Sequence, residues 1–321
     1  MARTLRRAIA FLVALVAALV ASVWAPDRSV AELTPRWAPP PSTFLPVLDL
    51  RVHLRDEGPR TDTLPVLLLH GTSSSLHTWE GWTRDLARDR RVIRVDLPAF
   101  GLTGPFTDGD YTTAHYLRFL VALLDSLHVP RAIVAGNSFG GQLAWQLAVT
   151  APTRVAALVL VDAAGFPIQS LSVPIGFRIA RNPALSGLMT HILPRSIVAS
   201  SVRNTYGDPA LVTDSVIDRY FELTRREGNR AALPLRFRAP DDTTLRVRLS
   251  AIAVPTLILW GLRDRLIPPD NAERFHREIK QSAVVTYDNL GHIPMEEDPA
   301  HTVAAVRAFL AAHFPLARTA P

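Results

Sequence analysis

A serine between two glycines is the residue best placed for chemistry in this sequence. The segment 136–140 reads Gly-Asn-Ser-Phe-Gly, a G-x-S-x-G pattern with Ser138 at its centre. A serine hydroxyl is a weak nucleophile unless it is exposed, aimed and close to a base. An apolar strand-like run precedes the segment and a helix-like run follows it, so a sharp turn would aim the side chain. The sequence therefore predicts Ser138 as a nucleophile.

A base and a carboxylate that orients it are expected later in the chain. Of the ten histidines, His292 lies in Gly-His-Ile-Pro, after the last predicted strand and before the last predicted helix. A loop at the carboxyl end of a strand can bring an imidazole to the serine. Asp264 follows another predicted strand and is the expected orienting acid. Asp162, which follows the preceding strand, is the alternative.

Attack on a carbonyl also needs hydrogen-bond donors for the oxyanion. The backbone N–H of Phe139, directly after the nucleophile, is one expected donor. The second is expected from the polar loop after His70-Gly71, with Thr72 preferred and Ser73 as the alternative. Both donors are backbone groups, so the side chains at these positions are weakly restricted. We expect Glu296 and Glu297 to cap the last helix rather than to bind substrate.

Alternating strands and helices are predicted to hold these residues together. Short apolar runs alternate with amphipathic segments, which is typical of a mostly parallel sheet covered on both faces. Segments 44–48 and 50–54 are expected to form a hairpin. Strands are expected at 64–69, 92–95, 132–135, 155–161, 256–260 and 283–287, and helices at 111–127, 139–149, 272–279 and 302–314. The proline-punctuated stretch 167–246 interrupts this order, so we predict a helical lid there, at the carboxyl ends of the strands.

The first 43 residues are predicted to lie outside the fold. Three arginines precede an apolar run from Ala8 to Trp24, the pattern of a signal anchor or a removed signal peptide over residues 1–25. Residues 26–43 contain three consecutive prolines and are predicted to be an extended stalk. The expected location is therefore the inner membrane with the catalytic body on the exported side, or secretion if the signal is cleaved.

Composition excludes several classes of protein. The 321 residues are 48% hydrophobic and 20% charged, which excludes a disordered or fibrous chain. The absence of cysteine excludes a disulfide scaffold, a thiol nucleophile and a cysteine-ligated metal site. The formal charge of +6 comes almost entirely from scattered arginines, so we predict a solvated surface and no nucleic-acid partner.

Five motifs in order make the chain similar to the α/β-hydrolase superfamily over roughly residues 44–314. They are HGTSSS, DLPAFG, GNSFGG, WGLRD and GHIPMEED. The resemblance implies an α/β-hydrolase fold in two core parts, 44–166 and 247–321, with the lid between them. It implies acyl transfer by Ser138, His292 and Asp264, with no cofactor and no metal. Serine in place of aspartate at the nucleophile disfavours haloalkane dehalogenases and epoxide hydrolases.

Two activities fit that resemblance. GNSFGG is similar to the nucleophile segment of carbon–carbon bond hydrolases that act on ring-cleavage products, and also to that of many esterases. The apolar leader and the glycine-poor HGTSSS loop favour a carboxylesterase acting on a small-molecule ester. Carbon–carbon hydrolysis of ring-cleavage products is the alternative. The sequence predicts neither the acyl specificity nor the oligomeric state.

Overall fold

One mixed sheet forms the centre of the computed structural model, which describes residues 2–167, 169–240 and 242–316. In the described residues eight strands lie in the order β1-β2-β4-β3-β5-β6-β7-β8. Strand β2 is antiparallel to β1 and β4, and the other neighbours are parallel. The strands are β1 (Thr43–Val47), β2 (Leu50–Glu57), β3 (Val66–Leu69), β4 (Val92–Val95), β5 (Ala132–Asn137), β6 (Val155–Val161), β7 (Thr256–Gly261) and β8 (Ser282–Tyr287).

The central strands are apolar because both of their faces are covered. Every residue of β3, β5, β6 and β7 is buried. Continuous apolar runs such as Val155–Val161 are what a doubly covered parallel strand requires. The first two strands pair as the predicted hairpin, with Thr43 opposite Leu54. The predicted α/β fold with a mostly parallel sheet is confirmed.

Helices outside the lid cover the sheet in two groups. Helix α3 packs against α13, and α4 packs against α5, which also contacts β3, β5 and β6. This arrangement leaves the carboxyl ends of the strands for loops. These helices and their neighbours are α3 (Glu80–Leu86), α4 (Thr113–Ser126), α5 (Phe139–Thr150), α11 (Asp270–Glu278), α12 (Pro294–Glu297) and α13 (Pro299–His313).

Five α-helices occupy the described part of the predicted lid, between β6 and β7. They are α6 (Ile175–Arg181), α7 (Pro183–Ser186), α8 (Arg195–Thr205), α9 (Asp214–Thr224) and α10 (Asn229–Arg238). The helices pack on each other, α8 against α9 and α6 against both α8 and α10. Prolines lie at or just before the starts of α6, α7 and α8, where a missing N–H costs nothing.

The amino-terminal segment, predicted to be a signal anchor or a signal peptide, is largely helical. Residues 1–25 include α1 (Ala2–Val23). Across the described ranges of the chain, no helix combines the length and the apolar character needed to cross a membrane. The backbone just after α1 contacts the lid, where the N–H of Ala25 donates to the carbonyl of His191 over 2.9 Å.

Residues 26–43, predicted to be an extended stalk, instead include a helix. They contain α2 (Val30–Trp37), which begins with a capping box between Ser29 and Glu32. This box satisfies the backbone N–H groups of Ser29 and Glu32, and the three consecutive prolines lie beyond the end of the helix. The helix packs on α9 of the lid, where the indole N–H of Trp37 donates to Glu222 over 2.7 Å.

Candidate active site

Ser138 lies at a strained turn between β5 and α5. Its backbone has φ 54° and ψ −116°, a conformation that L-residues rarely adopt. The strand ends at Asn137 and the helix begins at Phe139, so the serine alone makes the turn. A strained residue persists only where its surroundings hold it, and such residues cluster at functional sites.

The flanking glycines leave room for that turn. A Cβ added to Gly136 would lie 2.3 Å from the carbonyl carbon of Gly140. A Cβ added to Gly140 would lie 2.2 Å from the carbonyl oxygen of Leu69, in the neighbouring strand β3. Neither contact is possible for a real side chain because both neighbours are backbone atoms. The G-x-S-x-G pattern is thus a packing requirement of the turn.

His292 and Asp264 lie together, as their predicted roles require. The Nδ1 of His292 lies 2.7 Å from the Oδ2 of Asp264, and both side chains are buried. The second oxygen of Asp264 accepts the N–H groups of Leu266 and Ile267 over 2.8 and 3.0 Å. An ionised carboxylate accepts only, so Nδ1 carries the proton and Nε2 is left as the basic nitrogen.

Backbone contacts fix the loop that carries His292. The N–H of His292 donates to the carbonyl of Thr205, at the end of α8 in the lid, over 2.7 Å. The amide of Asn137 donates to the carbonyl of His292 over 2.9 Å and to that of Val161 over 3.1 Å. Asn137, next to the serine, therefore joins the turn to the histidine loop. Sequence patterns assign no role to Asn137, because its partners are backbone groups distant in the chain.

Asp162, the alternative acid, lies beside the same pair. One donor atom from each of Asp162, Asp264 and His292 lies within 4.8 Å of the others. The Oδ1 of Asp162 accepts the N–H of Gly261 over 3.0 Å. Burial and then the neighbouring Asp264 raise the pKa of Asp162 well above its ordinary value, which favours the protonated acid. The imidazole of His292 is hydrogen-bonded to Asp264.

The same three side chains have the spacing of a metal site. A metal would need a ring nitrogen and deprotonated carboxylates. In the structure one oxygen of Asp264 lies 2.7 Å from Nδ1 of His292, and its other oxygen accepts the N–H groups of Leu266 and Ile267. The geometry therefore fits a hydrogen-bonded acid–imidazole pair better than a set of ligands. The absence of a cofactor and of a metal stays a prediction.

Backbone N–H groups are available beside Ser138 for an oxyanion. Phe139 is the first residue of α5, where the N–H groups have no partner within the helix. Thr72 and Ser73 line the cavity that Ser138 also lines. A Cβ added to Gly71 would lie 3.1 Å from the Cβ of Ser138, so this loop passes directly over the serine.

A buried histidine orients the peptide unit of that loop. The Nε2 of His70 accepts the N–H of Leu97 over 2.9 Å, which leaves the proton on Nδ1. The Nδ1–H donates to the carbonyl of Gly71 over 2.7 Å. Burial lowers the pKa of His70, so the ring stays neutral. Since the Gly71 carbonyl and the Thr72 N–H belong to one peptide plane, His70 fixes the direction of the expected oxyanion donor.

A largely apolar cavity opens at Ser138. It encloses about 800 Å³ of space not filled by atoms, part of it open to solvent, and both Ser138 and His292 line it. The lid supplies most of its apolar wall. Lid residues in that wall include Phe177, Met189, Leu193, Ile197, Val202 and Leu233. Among the described residues that line this cavity there is no arginine, lysine, aspartate or glutamate.

Glu296 and Glu297 do not cap the last helix as predicted. The side chain of Asp298 caps α13. Glu296 instead pairs with the lid arginine Arg219, and Glu297 accepts the N–H groups of Gly291 and Gly207 over 2.7 and 2.8 Å. Burial raises the pKa of Glu297 to about 7, against the backbone donors that lower it. Both glutamates tie the lid to the loop that carries His292.

Comparison with known proteins agrees with this geometry. The family model for the alpha/beta hydrolase fold matches residues 65–299. The chain belongs to the α/β-hydrolase family. It is 28% identical over 274 residues to a 2-hydroxymuconate semialdehyde hydrolase of Pseudomonas sp. (strain CF600), covering 82% of this chain and 91% of that one.

One further relative and one solved structure are similar to the chain over most of its length. The chain is 29% identical over 260 residues to a 2-hydroxy-6-oxo-2,4-heptadienoate hydrolase of Pseudomonas putida, covering 77% of this chain and 89% of that one. A meta-cleavage product hydrolase from Pseudomonas fluorescens IP01 superposes with a TM-score of 0.71 at 22% identity, covering 84% and 97% of the two chains. A hydrolase is thus supported, and these relatives fit carbon–carbon hydrolysis better than the predicted ester hydrolysis.

Proposed function

We propose that this chain is a serine hydrolase in which Ser138 attacks a substrate carbonyl. One observation carries the proposal, namely that Ser138 and His292 line one cavity while Asp264 holds the far side of the imidazole. His292 takes the serine proton, and Asp264 stabilises the imidazolium that forms. The N–H groups of Phe139 and Thr72 stabilise the oxyanion.

We propose carbon–carbon hydrolysis of ring-cleavage products as the first candidate reaction, because the two curated relatives act on such compounds by name. The serine oxygen forms a bond to a ketone carbon, and the bond from that carbon to the dienoate carbon breaks. The electron pair leaves with the dienoate, which takes a proton from His292. Water then hydrolyses the acyl group from Ser138 with the same histidine as base.

Carboxylic ester hydrolysis is the second candidate, and the lining of the cavity favours it. The main cavity presents apolar side chains of the lid, and its described lining residues include no arginine, lysine, aspartate or glutamate. An ionised carboxylate buried there without a partner would cost several kcal/mol. An uncharged ester has no such cost, and its alkoxide would leave with the proton from His292.

Turnover of two substrate types distinguishes the candidates. The full chain and Ser138→Ala are assayed on a ring-fission dienoate, by loss of its visible absorbance, and on p-nitrophenyl esters of increasing acyl length. Dienoate cleavage without ester turnover supports the first candidate, and the reverse supports the second. Activity of Ser138→Ala equal to that of the unsubstituted chain would contradict both.

Location is a separate proposal. Three arginines followed by an apolar run support export of the body, with residues 1–25 either removed or kept. Amino-terminal sequencing of the protein from fractionated source cells tests it. A start after residue 25 in the exported fraction indicates removal, whereas recovery of the protein with the cytosolic fraction would contradict export.

A further inference from the structure

The loop that carries His292 touches the lid through backbone atoms. A Cβ added to Gly291 would lie 2.4 Å from the backbone nitrogen of Gly207 and 2.6 Å from the carbonyl oxygen of Thr205. The N–H of His292 donates to the same carbonyl of Thr205 over 2.7 Å. Thr205 is the last residue of α8 and lines the cavity at Ser138. Because the two segments are in backbone contact, a shift of the lid at the end of α8 moves the histidine loop with it.

One carboxylate joins the two sides of this contact. The Oε1 of Glu297, at the end of α12, accepts the N–H of Gly291 over 2.7 Å, next to His292. The Oε2 of Glu297 accepts the N–H of Gly207, in the lid, over 2.8 Å. The N–H of Asp208 also points to Oε2, over 3.4 Å. Each oxygen therefore holds a different side, and the side chain bridges the histidine loop and the lid.

Ionisation of Glu297 decides whether both sides are held. A carboxylate has two acceptor oxygens, whereas a protonated acid or an amide has one good acceptor and one group that carries hydrogen. That hydrogen would face a backbone N–H, so one of the two contacts would be lost. Burial raises the pKa of Glu297 to about 7, and the neighbouring Glu296 acts in the same direction, against the backbone donors that lower it. The bridge is therefore complete only above about pH 7.

The charged groups around Glu297 come from several elements. Glu296 precedes it in α12 and is paired with Arg219 of α9. Asp162 follows β6, and the charge of Glu297 contributes to the rise in the pKa of Asp162. Asp208 presents its N–H to Glu297 and its carboxylate to the next turn of the lid. These groups influence the pH at which Glu297 ionises, whereas the N–H groups that it holds do not titrate.

We propose that Glu297 is a positioning residue for the reaction, which holds the His292 loop against the lid by accepting an N–H group from each. This inference rests on the proposed function, since Glu297 acts through His292 as the base for Ser138. Loss of either hydrogen bond loosens the loop, so that Nε2 of His292 is held less firmly toward the serine. Attack by Ser138 should therefore slow as Glu297 becomes protonated.

The rate of covalent labelling tests this inference without a choice of substrate. The full chain and Glu297→Gln are treated with an excess of one fluorophosphonate from about pH 5.5 to about pH 9, and the ratio of their labelling rates at Ser138 is plotted against pH. The amide has nearly the size of the acid and resembles its protonated form at every pH. Titration of groups common to both proteins cancels in the ratio.

The two proteins should differ only where Glu297 is ionised. We expect rates within about twofold below about pH 6, and a parent about tenfold faster above about pH 8, since one charge-assisted hydrogen bond is lost. A contact that is merely structural would give a ratio that does not change with pH. Glu273→Gln makes the same substitution at an exposed position of α11 and should label at the rate of the parent throughout.

Hydrogen exchange measured by mass spectrometry examines the bridge itself. At about pH 8, peptides covering 205–208 and 289–292 should both exchange faster in Glu297→Gln than in the parent, and thermal melting at each pH shows that both proteins are folded. A labelling ratio independent of pH, or equal exchange of these peptides in the two proteins, would overturn the proposal. Absence of labelling in the parent at every pH would overturn the proposed function instead.

Discussion

Substitution of Asp264 by asparagine is expected to remove most of the activity while the shape of the site is kept. The N–H groups of Leu266 and Ile267 hold one oxygen of Asp264, so the other faces Nδ1 of His292 at 2.7 Å. An asparagine held by the same two donors presents its NH₂ group to Nδ1. The ring proton then moves to Nε2, and the imidazole can no longer accept the serine proton.

The loss should be large because a tautomer change disables the base entirely. For a Ser-His-Asp arrangement it is about 10⁴-fold in kcat, which corresponds to roughly 5 kcal/mol of transition-state stabilisation. The assay is the rate of covalent labelling of the serine by a fluorophosphonate together with turnover of the better of the two candidate substrates. Thermal melting shows whether the variant keeps its fold.

Asp162→Asn is the matched control for this prediction. Asp162 is buried beside Asp264, and the rise in its pKa favours the protonated acid, so a neutral amide replaces a neutral acid. We expect its activity to stay within about tenfold of the unsubstituted chain. A loss in Asp162→Asn as large as in Asp264→Asn would refute the assignment of Asp264 as the orienting acid. Full activity in Asp264→Asn would refute it as well.

Three further changes test the contacts around the site. The pKa of Glu297 is raised from 4.5 to about 7 in the folded protein, so ionisation of this side chain opposes folding. The protonated side chain therefore contributes its full stability below about pH 4.5, and this contribution is lost as the pH rises through about 7. Between pH 4.5 and 8 the free energy of unfolding, measured with denaturant, should therefore fall by up to about 3 kcal/mol less in Glu297→Gln than in the parent. An equal fall in the two proteins would exclude the effect. Glu296→Ala leaves the half-buried Arg219 without its carboxylate and should lower the free energy of unfolding by about 2 kcal/mol, whereas an unchanged urea midpoint would show that the pair is unimportant. Gly140→Ala forces a Cβ to 2.2 Å from the Leu69 carbonyl oxygen and should cost about 3 kcal/mol or more, and a normal melting temperature would contradict that packing.

Local patterns were enough to predict the turn at Ser138 and the strands around it. Gly136 and Gly140 make room for the turn and lie two residues from Ser138, so a short segment of sequence is enough to predict the turn. Buried strands such as β6 read as unbroken apolar runs because both of their faces are covered. The histidine and its acid could be placed because each follows a strand whose carboxyl end lies at one edge of the sheet.

Contacts between distant segments could not be predicted in this way. Asn137 and Glu297 hold the His292 loop through backbone groups, which leave no mark on the sequence of their partners. The three prolines that follow α2 predict an extended segment, although Ser29 and Glu32 have the spacing of a capping box that starts a helix. Its packing on the lid depends on tertiary contacts with α9.

Covalent labelling of Ser138 tests its role as nucleophile most directly. The full chain is treated with a fluorophosphonate, and the modified residue is located by mass spectrometry. We predict a single adduct on Ser138 that is absent from Ser138→Ala, together with loss of all hydrolytic activity in that variant. An adduct on a different serine, or a Ser138→Ala chain that hydrolyses substrate at the rate of the unsubstituted protein, would contradict the assignment.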